Sequence, residues 1–355
     1  MGRSKTVHGG LDAAELRHYD LRVEDVLDFS ANINPLGPSP LVREAAAAAD
    51  LSAYPDRESL ALREALAERL GVAIDHLLVG NGSTELIHIL ARSRLRSGGR
   101  CLIFAPTFGE YEAAAAAAGA EVHCLTATEA RGFRWPIGEA VAAIGELQPA
   151  LVFLCNPNNP TGLYLDRESV EQFAAAVGER GLLVLDDAYA SLADSPWDAM
   201  PLLGNGNVAI LRSMTKDHAL AGVRLGYLAA QPEVIGGARA LQHAWSVNTV
   251  AQAAGLAALR DDDHVAAARA VIREAKAYLC AELGALGLAV SPSATNFLLV
   301  KVGDGAGVRH ALLRRGMAVR DCASFGLPEH IRVAVRRQPE CARLIEALRE
   351  VLADG

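Results

Sequence analysis

The stretch from residue 182 to residue 192 reads LLVLDDAYASL, in which four consecutive aliphatic residues are followed directly by two aspartates. A continuous apolar run is typical of a strand that is buried on both faces, as in a parallel sheet. An acidic residue after such a strand is costly unless it meets a cation, and parallel sheets bind ligands at their carboxyl ends. The stretch therefore predicts an α/β sheet with a binding site at its edge, although a surface turn is the alternative interpretation.

Similar apolar runs lie on both sides of this stretch and alternate with helical patterns. The predicted strands are 77-LLV, 101-CLIF, 121-EVHCL, 150-ALVFL, 182-LLVL, 208-VAIL and 226-GYLAA. The predicted helices between them lie near residues 84–95, 109–119, 138–147 and 167–180. This alternation requires right-handed crossovers, and it predicts a mostly parallel central sheet flanked by helices.

The pattern changes beyond about residue 232. It becomes two long Ala/Leu-rich helices, three short strands and a closing helix: 248–260, 263–285, 296-NFLLV, 317-MAV, 331-IRVAV and 340–352. We predict a large domain at 41–232, a smaller α+β domain at 233–355 and an N-terminal arm at 1–40. Within the arm, 35-PLGPSP is too rich in proline for regular structure.

Composition narrows the class of protein. The 355 residues suffice for about two domains, and the 51% hydrophobic and 21% charged fractions are ordinary for a globular protein. A net charge of -8 without a basic run argues against nucleic acid or an anionic membrane as the main partner. The six cysteines include no C-x-x-C pair and half of them lie in apolar runs, which predicts buried, reduced thiols and neither a disulfide set nor a metal site. Without a membrane-length apolar stretch or a signal peptide, the predicted location is cytoplasmic.

An anion-binding element is predicted in 77-LLVGNGSTELIHIL, where a strand runs through glycines into a helix. The first turn of that helix offers Ser83, Thr84 and free backbone N–H groups to an anion. A nicotinamide-dependent oxidoreductase is disfavoured, because its G-x-G-x-x-G fingerprint would need glycine where Glu85 stands. A plain turn between strand and helix is the remaining alternative.

Two further segments follow buried strands. In 155-CNPNNPTG two asparagines lie between prolines, and a simple turn is the alternative interpretation. In 210-ILRSMTKDHALAGVRLGY, Lys216 lies among small hydroxyl residues and eight residues before Arg224, although a lysine is often only a surface charge. Together the segments offer an amine, anion-binding groups and a carboxylate. A carbonyl cofactor with a phosphate and a pyridinium nitrogen needs these groups.

The four segments, in this order and spacing, resemble the fold-type I pyridoxal-phosphate (PLP) enzymes of the aminotransferase superfamily, and the resemblance covers almost the whole chain. It implies that Lys216 forms a Schiff base with PLP and that Asp186 keeps the pyridine nitrogen protonated. It implies that Asn159 and Tyr189 bind the phenolic oxygen of the cofactor. The implied phosphate ligands are Gly82, Ser83, Thr84, Ser213, Thr215 and Arg224. A non-enzymatic regulator of this fold is disfavoured, because Lys216 is present.

The resemblance also implies a homodimer with shared active sites. In 105-APTFGEYE, Phe108 stands where the family stacks an aromatic ring on the pyridine. In 53-AYPD, Tyr54 stands where a tyrosine of the family reaches the phosphate in the neighbouring subunit.

Two branches of the superfamily compete for the reaction. Histidinol-phosphate aminotransferases resemble this chain in 216-KDHALAGVRLGY and in the arginines of 317-MAVRD and 331-IRVAV. Threonine-phosphate decarboxylases of cobalamin biosynthesis resemble it in 8-HGG, 27-LDFSANINPLGP, 245-WSVN and 320-RDCASFGLPEHIRVAVR. We predict decarboxylation of L-threonine O-3-phosphate to 1-aminopropan-2-ol phosphate. The alternative is amino transfer of the histidinol-phosphate type with 2-oxoglutarate and glutamate.

Either branch implies a phosphorylated amino-acid substrate and arginines near the site. By resemblance, Arg332 takes the substrate carboxylate. Arg320, His8 and Asn32 are the candidates for the distal phosphate or for an arm that closes the site. For His8, an exposed position on the arm is the alternative.

Overall fold

The computed structural model describes residues 8–353. Its strands are β1 Leu27–Asp28, β2 Leu77–Gly80, β3 Arg100–Ala105, β4 Glu121–Thr126, β5 Leu151–Cys155, β6 Leu182–Asp186, β7 Val208–Ser213, β8 Gly226–Ala229, β9 Ala289–Val290, β10 Phe297–Lys301, β11 Met317–Ala318, β12 Arg320–Asp321 and β13 His330–Ala334. Its α-helices are α1 Ala13–His18, α2 Pro40–Ala47, α3 Leu60–Leu70, α4 Gly82–Arg94, α5 Glu110–Ala117, α6 Ile137–Leu147, α7 Arg167–Val177, α8 Met214–Asp217, α9 Pro232–Arg239, α10 Thr249–Ala258, α11 Asp262–Ala285, α12 Gly305–Leu313 and α13 Gln338–Ala353.

The central sheet has seven strands in the order β2-β8-β7-β6-β5-β3-β4. Neighbouring strands from β7 to β4 all run parallel, which confirms the predicted α/β class. Strand β8 is antiparallel to both β2 and β7. The reason lies in the link between β7 and β8, where α8 has only four residues and is too short for a crossover helix.

Every residue of β2, β5, β6 and β8 is buried, as the continuous apolar runs predict, whereas the edge strand β4 has no buried residue. In β6, Leu183 and Leu185 pack into the hydrophobic cluster on one face, while Leu182 and Val184 pack into the cluster on the other. This alternation along the strand determines on which face each following side chain lies.

A second, four-stranded sheet of order β12-β13-β10-β9 is antiparallel throughout. Helices α11, α12 and α13 pack against it around Ile272, Leu298 and Leu344, none of which is more than 1% exposed. The sheet is built from chain beyond residue 232, in agreement with the predicted change of pattern. The domain boundaries at residues 40 and 232 stay a prediction.

The N-terminal arm contains regular structure ahead of 35-PLGPSP, while residues 35–39 form neither helix nor strand, as their proline content predicts. Strand β1 pairs in parallel with β11, so that Leu27 lies opposite Met317. Phe29, the residue after β1, extends this pairing. Its N–H donates to the Ala318 carbonyl at 2.7 Å, and its carbonyl accepts from Ala334 N at 2.8 Å. The arm is thereby joined to β13 of the second sheet through Phe29 and Ala334.

Two further expectations concern the chain as a whole. All six cysteines are unpaired, but Cys124 and Cys280 are exposed rather than buried. None of the helices formed by residues 8–353 combines the length and the apolar character that crossing a bilayer requires. A cytoplasmic location stays a prediction.

Candidate active site

Three neighbouring parallel strands end at one edge of the central sheet and deliver polar side chains to one cavity. Asn159 follows β5, Asp186 ends β6 and Lys216 follows β7. Asn159 and Lys216 line a cavity of about 510 Å³, and an inner extension of about 70 Å³ also includes Asp186. Residues common to both parts are Thr84, Phe108, Asn159, Tyr189, Lys216 and Arg224. The structure thus brings together groups that lie far apart in the chain.

The two adjacent aspartates at the end of β6 point in different directions. Asp186 lines the cavity, is 4% exposed and accepts hydrogen bonds from the Tyr111 hydroxyl at 2.7 Å and from Ala188 N at 3.2 Å. Asp187 instead lies 2.6 Å from Nη2 of Arg212. Burial raises the pKa of Asp186, and the hydrogen bond from Tyr111 opposes that rise.

Tyr111 is a site residue that the sequence analysis does not single out. Its ring stacks on Phe153 at 4.9 Å and meets Phe108 edge-on at 5.7 Å. A signal for it exists in the quoted segment 105-APTFGEYE, because residues three apart at a helix start lie on one face. Tyr111 therefore links Asp186 to the aromatic ring of Phe108.

The amine of Lys216 is held in a setting that favours its neutral form. Burial of the amine, together with the positive charges of Arg332 and Arg224, lowers the pKa of Lys216 to about 8. The neutral fraction of this amine at pH 7 is therefore larger than that of an ordinary lysine. Its Nζ lies 5.9 Å from the centre of the Tyr189 ring.

The predicted anion-binding groups converge beside this amine. Helix α4 begins at Gly82, whose φ of +76° favours glycine, and a Cβ there would lie only 2.6 Å from Nη2 of Arg224. The hydroxyl oxygens of Ser213 and Thr215 are 2.6 Å apart. Ser83 and Thr84, in the first turn of α4, line the same inner cavity. A helix N-terminus, hydroxyls and a guanidinium together suit a phosphate.

The residues that line the cavity fit the ring, the aldehyde and the phosphate of PLP. Asp186 is a buried carboxylate with no cation within salt-bridge distance in the described part of the chain, and a protonated pyridine nitrogen would supply one. The amine of Lys216 suits the aldehyde, and the groups around Gly82 suit the phosphate. Phe108 lines both parts of the cavity, where an aromatic ring would stack on the pyridine.

A second set of polar groups faces the wider part of the cavity. Arg332 is 4% exposed and donates to Asn159 Oδ1 and to the Ser30 carbonyl, but its buried Nε has no partner among residues 8–353. Asn32 donates to the Tyr189 hydroxyl at 3.4 Å, while its Oδ1 also lacks a partner in the described chain. Buried polar atoms in this state indicate room for a polar ligand.

Arg320 and His8 complete the mouth of the cavity. Arg320 lies opposite Arg332 in the register of β12 and β13, and it donates to Asp321 at 3.2 Å. His8 is half-exposed, its Nε2 lies 2.9 Å from Oε1 of Glu110, and its ring is 5.6 Å from that of Phe108. The arm therefore reaches the cavity, although Glu110, which holds His8 there, was not predicted.

Tyr54 is not brought together with the other predicted residues. It lies outside the cavity of its own chain and is 80% exposed. Its ring stacks on that of Trp245 at 4.7 Å, and the guanidinium of Arg57 lies 5.0 Å from the Trp245 ring. A contact of Tyr54 with a neighbouring subunit stays a prediction.

Comparison with known proteins identifies the relatives of this chain. The family model described as aminotransferase class I and II matches residues 24–348. A histidinol-phosphate aminotransferase of Symbiobacterium thermophilum is 40% identical over 340 residues, covering 95% of this chain and 93% of the relative. The crystal structure of histidinol-phosphate aminotransferase from Sinorhizobium meliloti in complex with pyridoxal-5'-phosphate has a TM-score of 0.87 and 29% identity, covering 96% and 94% of the two chains.

These relatives correct one prediction. Decarboxylation of threonine phosphate, and with it a place in cobalamin biosynthesis, is wrong, because curated relatives at 35–40% identity are histidinol-phosphate aminotransferases. A solved L-threonine-O-3-phosphate decarboxylase from Porphyromonas gingivalis has a TM-score of 0.80 and 26% identity, covering 92% of this chain and 99% of that one. The motifs do not separate the two reactions, because the solved decarboxylase and this chain share one fold.

Proposed function

The chain belongs to the class I and II aminotransferase family and is a PLP-dependent enzyme, and we propose that it transfers the amino group of a phosphorylated amino compound of the histidinol-phosphate type to 2-oxoglutarate. The amino donor would enter the wider part of the cavity, next to Lys216. The likeness to histidinol-phosphate aminotransferases over almost the whole chain supports this substrate class.

One observation carries the proposal: cationic groups line the cavity in addition to those around Gly82. Arg332 and Arg320 are neighbours across β12 and β13, and both line the same cavity as Lys216. The cofactor's own phosphate would use the groups at the start of α4. A second anion, either the phosphate of the amino donor or a carboxylate of 2-oxoglutarate, would then meet the two arginines.

When bound, PLP supplies an aldehyde that joins to amines and a ring that accepts electrons. Asp186 would hold the proton on the ring nitrogen, and Phe108 would orient the ring by stacking. Asn159 and Tyr189 would bind the phenolic oxygen. Arg224 would offset the charge of the phosphate, and the hydroxyls of Ser213 and Thr215 would donate hydrogen bonds to it.

Lys216 would act first as a nucleophile and then as a base. Its lowered pKa of about 8 provides neutral amine at neutral pH, which both tasks require. After the substrate amine has taken its place, Lys216 would remove the proton from the substrate Cα and deliver it to a carbon of the cofactor. Arg332 would hold the substrate so that the Cα–H bond faces Lys216.

We expect the PLP-loaded protein to form glutamate from L-histidinol phosphate and 2-oxoglutarate. With histidinol in place of its phosphate ester, kcat/KM should fall about 10- to 150-fold, since one charge-assisted hydrogen bond contributes roughly 1.5–3 kcal/mol. Coupling glutamate formation to glutamate dehydrogenase measures both rates.

Arg320→Met provides the control for this assay. When the amino donor alone reacts with the PLP-loaded protein, so that 2-oxoglutarate does not contribute, the variant should react more slowly with histidinol phosphate while retaining its rate with histidinol, because only the first donor carries a phosphate. Equal kcat/KM for the two donors would contradict a phosphate-binding role of the cavity. Release of carbon dioxide from threonine phosphate without glutamate formation would contradict amino transfer itself.

We also propose that the enzyme is a homodimer in which Tyr54 reaches the phosphate of the other subunit. Exposed apolar side chains support this: Leu51 and Tyr54 are each 80% exposed, and Trp245, on which Tyr54 stacks, is 42% exposed. Stacked exposed aromatic rings are typical of interaction surfaces. Because the Tyr54 ring stacks on Trp245, its side chain is ordered before association, which would reduce the entropy lost when the dimer forms.

Hybrid dimers test the shared site. In a dimer of wild type with a Tyr54→Phe, Lys216→Ala double variant, the one site with a lysine receives its residue 54 from the double variant. We expect PLP to dissociate about 10- to 150-fold more readily from this site, for the loss of one bond to a phosphate. A hybrid of wild type with Lys216→Ala alone is the control. Equal PLP retention in the two hybrids, or a monomer by sedimentation, would exclude the shared site.

A further inference from the structure

Asn34 is a buried residue of the N-terminal arm that contacts the peptide backbone on which Lys216 is carried. It is 3% exposed, its backbone N–H donates to the Lys216 carbonyl at 2.9 Å, and its Nδ2 donates to the Asp217 carbonyl at 2.7 Å. The residues are more than 180 positions apart in the chain. Two bonds from one residue to consecutive carbonyls define the position of the peptide between them.

The amide of Asn34 has only one orientation that satisfies its neighbours. Its Oδ1 accepts from Leu36 N at 2.8 Å, while its Nδ2 faces the Asp217 carbonyl. A flipped amide would place a donor against a donor and an acceptor against an acceptor. The side chain is therefore a directed donor to Asp217.

The carbonyls that Asn34 binds are those that a short helix leaves without partners. Helix α8 is four residues long and ends at Asp217, and the last carbonyls of a helix find no N–H within it. Two residues later Ala219 has a φ of +56°, which is unfavourable for a residue with a Cβ. The segment around Lys216 thus depends on contacts from outside it, and Asn34 supplies two of them.

Asn34 itself is fixed on both sides. Before it, Phe29 is bonded to the second sheet and the Ser30 carbonyl accepts from Arg332. After it, the Gly37 carbonyl lies 2.7 Å from Nε2 of His264 in α11. The arm is therefore a rigid support at this point.

We infer that Asn34 is a positioning residue, which holds the backbone of Lys216 so that its amine meets the aldehyde of PLP. The inference rests on the proposed role of Lys216 and goes beyond it by naming the group that aims the amine. Arg332 donates to the Ser30 carbonyl of the same arm, so a shift of Arg332 on binding substrate would be transmitted through residues 30–34 to Lys216.

The test compares two cofactor forms on the full-length chain freed of cofactor. PLP binds through Lys216 as well as through the phosphate and ring contacts, whereas pyridoxine 5'-phosphate, which has no aldehyde, uses only the latter. We expect Asn34→Asp, which keeps the oxygen facing Leu36 but loses the donor to Asp217, to weaken PLP binding roughly tenfold. Binding of pyridoxine 5'-phosphate should change less than about twofold.

Two matched variants control for general loss of stability. Asn34→Ser also keeps an acceptor for Leu36 but is too short to reach Asp217, and it should behave like Asn34→Asp. Asn207 is 8% exposed and donates through Nδ2 to the Ala174 and Gly178 carbonyls at 2.7 and 3.0 Å, before β7 begins and so at the opposite edge of the sheet. Asn207→Asp should lower the Tm without changing the ratio of the two affinities.

Each outcome decides between specific possibilities. An unchanged ratio of the two affinities in both Asn34 variants would overturn the positioning role, whether both affinities stay at the wild-type value or fall equally. Equal losses would indicate a merely structural residue. If Lys216→Ala keeps the wild-type preference for PLP, the proposed role of Lys216 itself is wrong, and the inference fails with it.

Discussion

Replacement of Lys216 by alanine is expected to abolish turnover and the visible absorbance of the PLP-loaded protein. Among residues 8–353 no other lysine lines the cavity. Lys276 is paired with Asp194 at 2.6 Å, and Lys301 is paired with Glu129 at 3.1 Å. Loss of both the nucleophile and the base should reduce kcat by at least about 10³-fold.

The measurement combines activity with chemical trapping. Borohydride reduction of the wild-type protein should attach the cofactor to the peptide that contains Lys216, as read by mass spectrometry. Lys301→Ala removes a lysine that is 38% exposed and is the control, expected to leave both readouts unchanged. Cofactor trapped on another lysine, or colour retained by Lys216→Ala, would disprove the assignment.

Asp186→Asn is expected to retain cofactor but to slow the reaction by about 10²- to 10³-fold. A neutral amide cannot keep the ring nitrogen protonated, and a buried charge that faces developing charge is a large contributor to catalysis. The buried position of Asp186 makes the effect large, because no water screens the interaction.

Tyr111→Phe separates the charge of Asp186 from its orientation. This variant keeps the carboxylate and removes only the 2.7 Å hydrogen bond to it, so we expect a loss of about fivefold. Single-turnover rates with histidinol phosphate, together with cofactor content, measure both variants. Activity of Asp186→Asn within about threefold of wild type would show that another group faces the ring nitrogen.

The sequence alone was sufficient for the strands of the central sheet. Runs such as 182-LLVL are apolar throughout because their strands are covered on both faces, and this burial leaves a clear local pattern. The direction of β8 and the strand β1 within the arm were not predictable in this way. Pairing depends on partners elsewhere in the chain, such as Met317 opposite Leu27.

The candidate site divides along the same line. Asp186 was recognisable because it directly follows a buried apolar run, and Lys216 because it lies just past another strand among small hydroxyl residues. Tyr111, Glu110 and Asn34 were not singled out, because their types and neighbours are ordinary in helices and turns. Their importance is visible only once Asp186, His8 and the Lys216 carbonyl lie beside them.

What the sequence by itself determined is which segments form the strands of the central sheet, and which amine, acid and helix start are the candidates for binding the cofactor. What only the tertiary structure decided is which of these groups meet, and from which side. The alternation of β6 placed Asp186 in the cavity and Asp187 against Arg212, and the position of the second sheet brought Arg332, on β13, to Asn159 across more than 170 residues. The physical reason is that side-chain patterns are local to an element, whereas contacts in a site depend on how distant elements pack.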